Sequence, residues 1–121
     1  MSNRLNAGDP PLTTGNQLTS TNGLLNLIMQ GDGNLVLYRT TFGIPLWASN
    51  TSGPPGVEAV MQGDGNLVVY SAAGVALFAS NTDGHQSAFL LLQDDGNLVI
   101  YDGANGGCWR SRKVTTSDHE M

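Results

Sequence analysis

The sequence predicts an all-β fold in which three small antiparallel sheets share one hydrophobic core. Two observations support this prediction: an internal repeat of about 31 residues, and Asp-Gly pairs placed between short runs of alternating apolar residues. No segment shows the 3.6-residue apolar period of a helix. A length of 121 residues suits one domain and is too short for two independent cores.

The first repeated element is an octapeptide built around an Asp-Gly pair. Two copies read MQGDGNLV and the third reads LQDDGNLV, and the glutamines of successive copies are 32 and 31 residues apart. The copies occupy residues 29–36, 61–68 and 92–99.

A second element recurs in phase with the first, as LWASNT, LFASNT and a divergent CWRSRK. Its aromatic residues are 31 residues apart in both intervals. The N-terminal segment and the C-terminal tail lie outside the repeated pattern. The two elements therefore predict one domain over residues 1–114, with repeats at about 23–55, 56–86 and 87–113, and a tail at 115–121.

Each repeat is predicted to form three strands. In the first repeat, Leu25, Leu27 and Met29 alternate with other residues as on one face of a strand. The pair Asp32-Gly33 then predicts a hairpin turn, because glycine readily adopts the positive φ that such turns need. A continuous strand through GDGN is the alternative, disfavoured because Gly and Asp are depleted in strands. A second strand follows as LVLY and a third as IPLWASN, with equivalents in the other two repeats.

The in-phase aromatic residues are candidates for the centre of the core. A sheet of about 30 residues cannot bury its apolar face alone, whereas three sheets facing one axis can. The alternative is that these rings form a platform on which a sugar or a base stacks. The residues concerned are Trp47, Phe78 and Trp109.

Composition excludes several classes of protein. Only five residues are basic against ten acidic, for a net charge of −5, which argues against binding to a nucleic-acid backbone. No run of 18 apolar residues is present, so no membrane insertion is expected. The single cysteine, Cys108, allows no intrachain disulfide and is interpreted as a small apolar residue rather than a reactive thiol. With no signal-peptide pattern, a cytoplasmic location is favoured, or secretion as a mature form.

Five residue types recur at fixed offsets around each turn: Gln, Asp, Asn, Val and Tyr, at every second position. Turn formation explains the Asp-Gly-Asn sequence, but folding does not require a Gln before it or a Tyr after it in all three copies. The candidate site residues are Gln30, Asp32, Asn34, Val36 and Tyr38; Gln62, Asp64, Asn66, Val68 and Tyr70; and Gln93, Asp95, Asn97, Val99 and Tyr101.

This set of side chains matches the chemistry of a neutral polyol. Amides donate and accept hydrogen bonds, a carboxylate accepts from hydroxyls, and a phenol does both. The valine offers an apolar surface to the C–H face of a sugar ring. The pattern therefore predicts three carbohydrate-binding sites.

Other chemistries fit less well, and neither catalysis nor a cofactor is predicted. A glycosidase normally uses two opposed carboxylates, and the pair Asp94 and Asp95 occurs in one repeat only. The two histidines, His85 and His119, lie outside the repeated set and have no metal-ligand spacing. Calcium remains an alternative because GDGN is similar to part of a calcium loop, although the terminal Glu of an EF-hand is missing.

At the motif Gln-x-Asp-x-Asn-x-Val-x-Tyr the sequence resembles the monocot mannose-binding lectins, also called bulb-type lectins. The resemblance covers most of the chain and includes the Trp-Ala-Ser-Asn-Thr element. It implies a β-prism II fold, with three four-stranded antiparallel sheets around a pseudo-threefold axis. It also implies that Asp and Asn of each motif bond the axial O2 of mannose, Gln reaches O3, Tyr bonds O4 and Val packs on ring carbons.

The resemblance further implies a non-catalytic agglutinin for mannose-rich glycans, with a possible role in defence. It implies a homodimer, which C-terminal strands around 109–114 could form by exchange. Plant members carry one disulfide, and the corresponding positions here are Gly33 and Val57, which departs from a secreted plant protein. The alternative is a member with vestigial sugar sites that acts by binding other proteins.

Overall fold

Twelve short strands and one 3₁₀ turn make up the computed structural model over the residues it describes, 2–103 and 106–112. The predicted hairpins are confirmed, since the chain turns at each Asp-Gly pair instead of continuing as one strand. The strands are β1 (Arg4–Asn6), β2 (Leu12–Thr13), β3 (Gln17–Thr19), β4 (Leu25–Met29), β5 (Leu35–Arg39), β6 (Ile44–Ala48), β7 (Gly56–Met61), β8 (Leu67–Ser71), β9 (Ala76–Ala79), β10 (Phe89–Leu92), β11 (Leu98–Asp102) and β12 (Gly106–Arg110), with the 3₁₀ turn at Thr41–Gly43.

The strands form three four-stranded antiparallel sheets, as predicted. The first sheet has the order β3-β4-β5-β6, the second β2-β7-β8-β9 and the third β1-β10-β11-β12. The last three strands of each sheet come from one repeat and follow each other along the chain. Each repeat is thus a local antiparallel meander, which explains why its pattern could be recognised from sequence.

The fourth strand of each sheet comes from the N-terminal segment, which lies outside the repeat. Strands β3, β2 and β1 form an edge of the first, second and third sheet respectively. Each contains one buried leucine: Leu18 pairs with Leu27, Leu12 with Ala59 and Leu5 with Leu90. A strand of two or three residues has too few positions for an alternating pattern, so these strands were not predicted.

The inner faces of the three sheets bury a common core of Leu, Met, Val and Ile side chains. In β4 the alternation places Leu25, Leu27 and Met29 on the inner face, as predicted. Against this core pack the three aromatic residues of the second repeated element, each touching the other two edge to face. The ring centroids of Trp47, Phe78 and Trp109 are 5.4 to 6.1 Å apart, which confirms that they fill the axis.

Asp94 links the third repeat to the first sheet. It occupies the motif position that is Gly31 and Gly63 in the other repeats. Its carboxylate accepts hydrogen bonds from the Thr21 hydroxyl at 2.6 Å and from the Asn22 backbone N–H at 3.1 Å. These donors hold the pKa of Asp94 below its ordinary value, the Thr21 hydroxyl most strongly.

We expect Asp94→Ala to lower the melting temperature at pH 7, because the bonds that join the third repeat to the first sheet are lost. A lowered folded-state pKa means that the stabilisation is present above the ordinary carboxyl range, near pH 4, and is lost as the pH falls further. Thermal melts of wild type and variant, compared at neutral and at strongly acidic pH, measure this. The difference should shrink on acidification, whereas Asp83→Ala, at an exposed carboxylate, should show little difference at pH 7.

Candidate carbohydrate sites

The structure brings the five motif residues of each repeat together on the outer face of its sheet. In the first repeat, Gln30 follows β4, Asp32 lies in the turn, and Asn34 precedes β5. Because strand residues alternate between faces, Val36 and Tyr38 lie opposite the core leucines of β5. The same placement holds for the motif residues of β8 and β11.

Each motif aspartate shapes the turn in which it lies. One carboxylate oxygen accepts the backbone N–H of the motif asparagine, at 3.0 Å in the first and second repeats and 2.9 Å in the third. This is an Asx turn, which explains the Asp at that position. A carboxylate has about four lone-pair sites, so each aspartate keeps acceptor capacity for a ligand.

The motif glutamine connects the turn to the tyrosine of the next strand. The Tyr38 hydroxyl donates to Oε1 of Gln30, and Nε2 of Gln30 donates to the two Asp32 oxygens at 3.0 and 3.1 Å. In the second and third repeats, Nε2 of the glutamine donates to the tyrosine hydroxyl. The Asn34 backbone N–H, together with the Gln30 amide, lowers the pKa of Asp32. Asp32 is therefore a charged acceptor at neutral pH.

The motif asparagine also accepts hydrogen bonds from the Ser-Asn-Thr element of its repeat, a role that the sequence analysis did not predict. Oδ1 of Asn66 accepts hydrogen bonds from the Ser80 hydroxyl at 3.0 Å, the Asn81 N–H at 2.9 Å and the Thr82 N–H at 3.4 Å. Asn34 makes the equivalent bonds to residues 49–51. This contact explains why the Ser-Asn-Thr triplet recurs in phase with the motif. It also leaves the amide Nδ2 as the group of Asn66 that can donate to a ligand.

The threonine of the same triplet also bonds to the backbone of the motif turn. The Thr51 hydroxyl donates to the carbonyl of Gly33 at 2.7 Å, and the Thr82 hydroxyl donates to the carbonyl of Gly65 at 2.6 Å. In the third repeat, Ser111 and Arg112 donate to Oδ1 of Asn97 at 3.2 and 3.1 Å. The position of the threonine is taken there by residue 113, which lies outside the described residues.

A β-bulge stands immediately before each motif tyrosine. The pairing register shifts between Leu37 and Tyr38 in the first sheet, and at the equivalent step in the other two. A bulge bends the strand locally and changes the direction of the following side chain. Its occurrence in all three sheets makes it part of the geometry that positions the phenol beside the glutamine.

The motif valines lie at the floor of the sites. They are only 4%, 3% and 1% exposed, in the order of the repeats, beneath the polar groups on the outer face. A ligand can therefore meet only a small apolar patch there. The residues are Val36, Val68 and Val99.

The residue paired with each tyrosine across the sheet distinguishes the three sites. It is Asn26 beside Tyr38, Glu58 beside Tyr70 and Phe89 beside Tyr101. The Phe89 and Tyr101 ring centroids are 5.7 Å apart, and the Arg4 guanidinium lies 3.7 Å from the Phe89 centroid. The group beside the motif tyrosine is thus an amide in the first site, a carboxylate in the second and an aromatic ring in the third, although the five motif residues are the same in all three.

The remaining candidate groups show structural contacts. Burial, reinforced by the Asp102 carboxylate, raises the pKa of the Cys108 thiol, in keeping with its interpretation as a small apolar residue. The His85 ring lies 2.7 Å from the Asp102 carboxylate.

Within residues 2–103 and 106–112, no three His, Cys, Asp or Glu side chains are grouped as metal ligands. No helix of that part of the chain is long and apolar enough to span a membrane.

Solved structures with the same architecture include lectins from several organisms. Mannose-binding lectins from Gastrodia elata, described as monomeric, are 43% identical, cover 94% of this chain and 100% of their own, and have a TM-score of 0.79. The chain belongs to the monocot mannose-binding lectin family. The mannose-specific agglutinin of snowdrop, Galanthus nivalis, is 39% identical with a TM-score of 0.73, and covers 96% of this lectin and 97% of its own chain.

A lectin of lower sequence identity has the same fold. A lectin from Marasmius oreades is 26% identical to this lectin, covers 93% of it and 92% of its own chain, and has a TM-score of 0.83. No protein-family model and no curated protein matches the sequence. The agreement with the snowdrop agglutinin confirms the predicted β-prism II fold.

The departure from the disulfide-bearing plant members has a structural counterpart. Gly56, the residue before Val57, donates its backbone N–H to the carbonyl of Gly33 at 3.1 Å. A Cβ atom on Gly33 would lie 2.5 Å from Cα of Pro55. In this lectin the two segments are therefore joined by direct backbone packing, which leaves no room for a side chain at Gly33.

Proposed function

We propose that this lectin binds α-mannosides without catalysis, through three sites formed by its Gln-x-Asp-x-Asn-x-Val-x-Tyr motifs. The observation that carries the proposal is the geometry of the motif: carboxylate, amides and phenol converge on the outer face of each sheet, over a small apolar floor. Among related lectins, the snowdrop agglutinin has been solved in complex with methyl α-D-mannoside, and the Polygonatum cyrtonema lectin in complex with monomannoside.

Selectivity for mannose over its epimers follows from the hydrogen-bond donors and acceptors of the motif that the fold does not itself use. Asp accepts from a sugar hydroxyl and the Asn amide donates to it, so both would meet the axial O2 of mannose. Gln and Tyr would meet O3 and O4. An epimer with an equatorial O2 would leave the Asp and Asn groups desolvated without partners, at a cost of roughly 1–3 kcal/mol.

Tight binding to a glycan is expected to come from the number of sites rather than from the affinity of each one. A shallow site for one sugar binds with a dissociation constant of about 1 mM, or roughly −4 kcal/mol. Three such sites on one chain can raise the avidity for a dense glycan by about 10² or more. This supports an agglutinating role, with a function in defence as one biological use.

The predicted homodimer stays a prediction. In this structure β12 pairs with β11 of the same chain, so the third sheet is complete within one protomer. Exchange of this strand between two chains would keep the same pairing. Light scattering on the purified protein gives the mass in solution and decides between monomer and dimer.

The proposed function is tested by combining Asp32→Asn, Asp64→Asn and Asp95→Asn. An Asn side chain keeps the oxygen that accepts the turn N–H but removes the charge, so we expect an intact fold with no measurable binding of methyl α-mannoside by NMR titration. A control with Asp9→Asn and Asp83→Asn removes carboxylates outside the motifs and should bind like wild type.

Two outcomes would contradict the proposal. If the wild type shows no saturable binding of methyl α-mannoside, the vestigial alternative, in which the fold serves binding to other proteins, is favoured. If the triple variant binds as tightly as wild type, the sites lie elsewhere. A circular dichroism melt of each variant confirms that a loss of binding is not a loss of folding.

A further inference from the structure

Two arginines on the outer face of the third sheet flank its motif strand. Arg4 of β1 pairs with Leu91, which pairs with Val99 of the motif, and Val99 pairs on its other side with Arg110. Residues paired directly across strands lie on the same face of a sheet. Both arginines are exposed. The third site therefore has a basic residue on each side, although its five motif residues are those of the other two sites.

The Arg110 side chain lies over Gly107, the residue paired with Tyr101. A Cβ atom on Gly107 would lie 2.8 Å from Nη2 of Arg110 and 3.3 Å from Cγ1 of Val99. The guanidinium is therefore beside the valine of the motif, at the strand position paired with the motif tyrosine. Because a side chain at position 107 would displace the guanidinium, the glycine is a condition for this placement.

The first and second repeats have neither feature. The residue paired with the motif tyrosine is Pro45 in the first sheet and Ala76 in the second, and the residue paired with the motif valine is Ala48 and Ala79 respectively. These positions carry no charge, and a Cβ atom is present where Gly107 has none. The glycine and the arginine of the third repeat thus differ from the other repeats together, as a pair.

Arg4 is held on the other side of the motif tyrosine. Its guanidinium carbon lies 3.7 Å from the centroid of the Phe89 ring, and that ring lies 5.7 Å from the ring of Tyr101. Nε of Arg4 donates to Oδ1 of Asn6 at 2.6 Å, which orients the guanidinium and leaves the Nη N–H groups for a ligand. The charge is within about 10 Å of the Tyr101 ring, which is the screening length at 0.1 M salt.

Neither arginine is neutralised by a neighbouring carboxylate. In the part of the chain that the structure describes, the one ion pair joins His85 to Asp102. No carboxylate oxygen among those residues lies at ion-pair distance from Arg4 or Arg110. Their charges can therefore act on a ligand bound at the third site.

The other two sites have a different charge. In the second site, Glu58 pairs with Tyr70 and adds its carboxylate to that of Asp64. In the first site, the residue paired with Tyr38 is the neutral Asn26. A negatively charged group on a bound sugar is thus attracted at the third site and repelled at the second, and it meets no charged neighbour of the tyrosine at the first.

The proposed orientation of mannose leaves O6 free to carry such a group. The motif residues are proposed to bond O2, O3 and O4, with the tyrosine at O4. The carbon that bears O6 is attached to C5, which is next to C4 in the ring. A substituent on O6 therefore lies on the same side of the sugar as O4, close to Tyr101 and to the arginines that flank it.

We propose that the third site binds mannose with an anionic substituent, a phosphate on O6, in preference to the neutral sugar. The inference rests on the proposed binding of mannosides by the motifs. The motif holds the ring, the Arg110 guanidinium donates N–H groups to the phosphate oxygens, and Arg4 adds attraction from the opposite side.

Variants with one working site test the inference. Asp32→Asn with Asp64→Asn leaves the third site, and Asp64→Asn with Asp95→Asn leaves the first. Each is titrated by NMR with methyl α-mannoside and with its 6-phosphate above pH 7, where a phosphate monoester carries nearly two negative charges. At low salt we expect the phosphate to bind about tenfold tighter than the neutral sugar at the third site, and within about twofold at the first. The advantage should shrink in about 1 M salt.

Exchange of the arginine gives an independent measurement. In the variant that keeps the third site, Arg110→Ala should reduce the advantage of the phosphate to about twofold. In the variant that keeps the first site, Pro45→Gly with Ala48→Arg places the glycine and the arginine at the corresponding positions and should create an advantage there. Ala79→Arg in the same background adds an equal charge to the second sheet, and should create none at the first site.

The outcomes separate the inference from the proposed function. If methyl α-mannoside binds but its 6-phosphate has no advantage at the third site, the charge selectivity is overturned and the mannoside sites stand. An advantage that survives Arg110→Ala combined with Arg4→Ala also overturns it. So does inorganic phosphate that binds the third site as tightly as the sugar phosphate, because the motif then has no part in binding. If neither sugar binds any variant or the wild type, the proposed function itself fails.

Discussion

Gly65→Ala is expected to lower the free energy of unfolding by roughly 3 kcal/mol or more. Gly65 has a φ of +94°, in the left-handed region, where a side chain costs about 1–2 kcal/mol. A Cβ there would also lie 2.8 Å from the carbonyl carbon of His85. Because the obstacle is backbone, the loop that contains His85 must move. Denaturation in guanidinium chloride, with circular dichroism as the signal, measures the change.

The repeat supplies a matched control for this prediction. Gly96 has almost the same φ, +93°, but its Cβ would meet only Leu46 at 3.9 Å among the described residues. Gly96→Ala should therefore cost only the left-handed strain, about 1–2 kcal/mol. Equal destabilisation of the two variants would contradict the role given to the contact with His85.

Asn66→Ala is expected to cost about 1–3 kcal/mol of stability and to abolish mannoside binding at the second site. The substitution removes the oxygen that accepts from Ser80, Asn81 and Thr82, and it removes the Nδ2 donor. Stability is measured by chemical denaturation. Binding is measured from the chemical shifts of the amides of the second turn during titration with methyl α-mannoside.

Asn66→Asp separates the two roles of this side chain. A carboxylate keeps an acceptor for the Ser-Asn-Thr triplet but has no donor for the sugar, and it adds a charge near Asp64. We expect stability close to that of wild type, with loss of binding at the second site and unchanged binding at the first. If Asn66→Asp binds the mannoside as wild type does, the amide does not contact the ligand.

Much of each site could be predicted because its members are close together in sequence. The glutamine, aspartate, asparagine, valine and tyrosine lie within nine consecutive residues of a hairpin, such as 30–38, so the turn alone brings them together. Their acceptor and donor capacities are properties of the residue types. Repetition in three copies distinguished them from residues that serve only the turn.

Other parts of the site could not be predicted because they depend on strand pairing. The bond from Ser80 to Asn66 joins positions 14 residues apart, and its partner is set by how β9 lies beside β8. The bulge before Tyr70 is a property of that pairing too. The signal that could have revealed the bond was the constant phase between the motif and the Ser-Asn-Thr element.

The sequence by itself determined the all-β class, the three hairpin repeats, the aromatic trio at the axis and the set of polar side chains at each turn. These follow from turn chemistry, alternation and repetition, all of which act over short distances along the chain. Each is visible in one repeat and is reinforced by the other two.

The tertiary structure alone decided how the repeats close on one another. It assigned Leu5, Leu12 and Leu18 to edge strands of three different sheets, although all three lie within 14 consecutive residues of the chain. It also packed the glycine of the first turn against Pro55 and that of the second against His85, whereas at Gly96 the nearest atom among the described residues is Cδ1 of Leu46, at 3.9 Å. The physical reason is that single buried leucines and contacts between repeats gain their energy only from partners far along the chain, which no local pattern records.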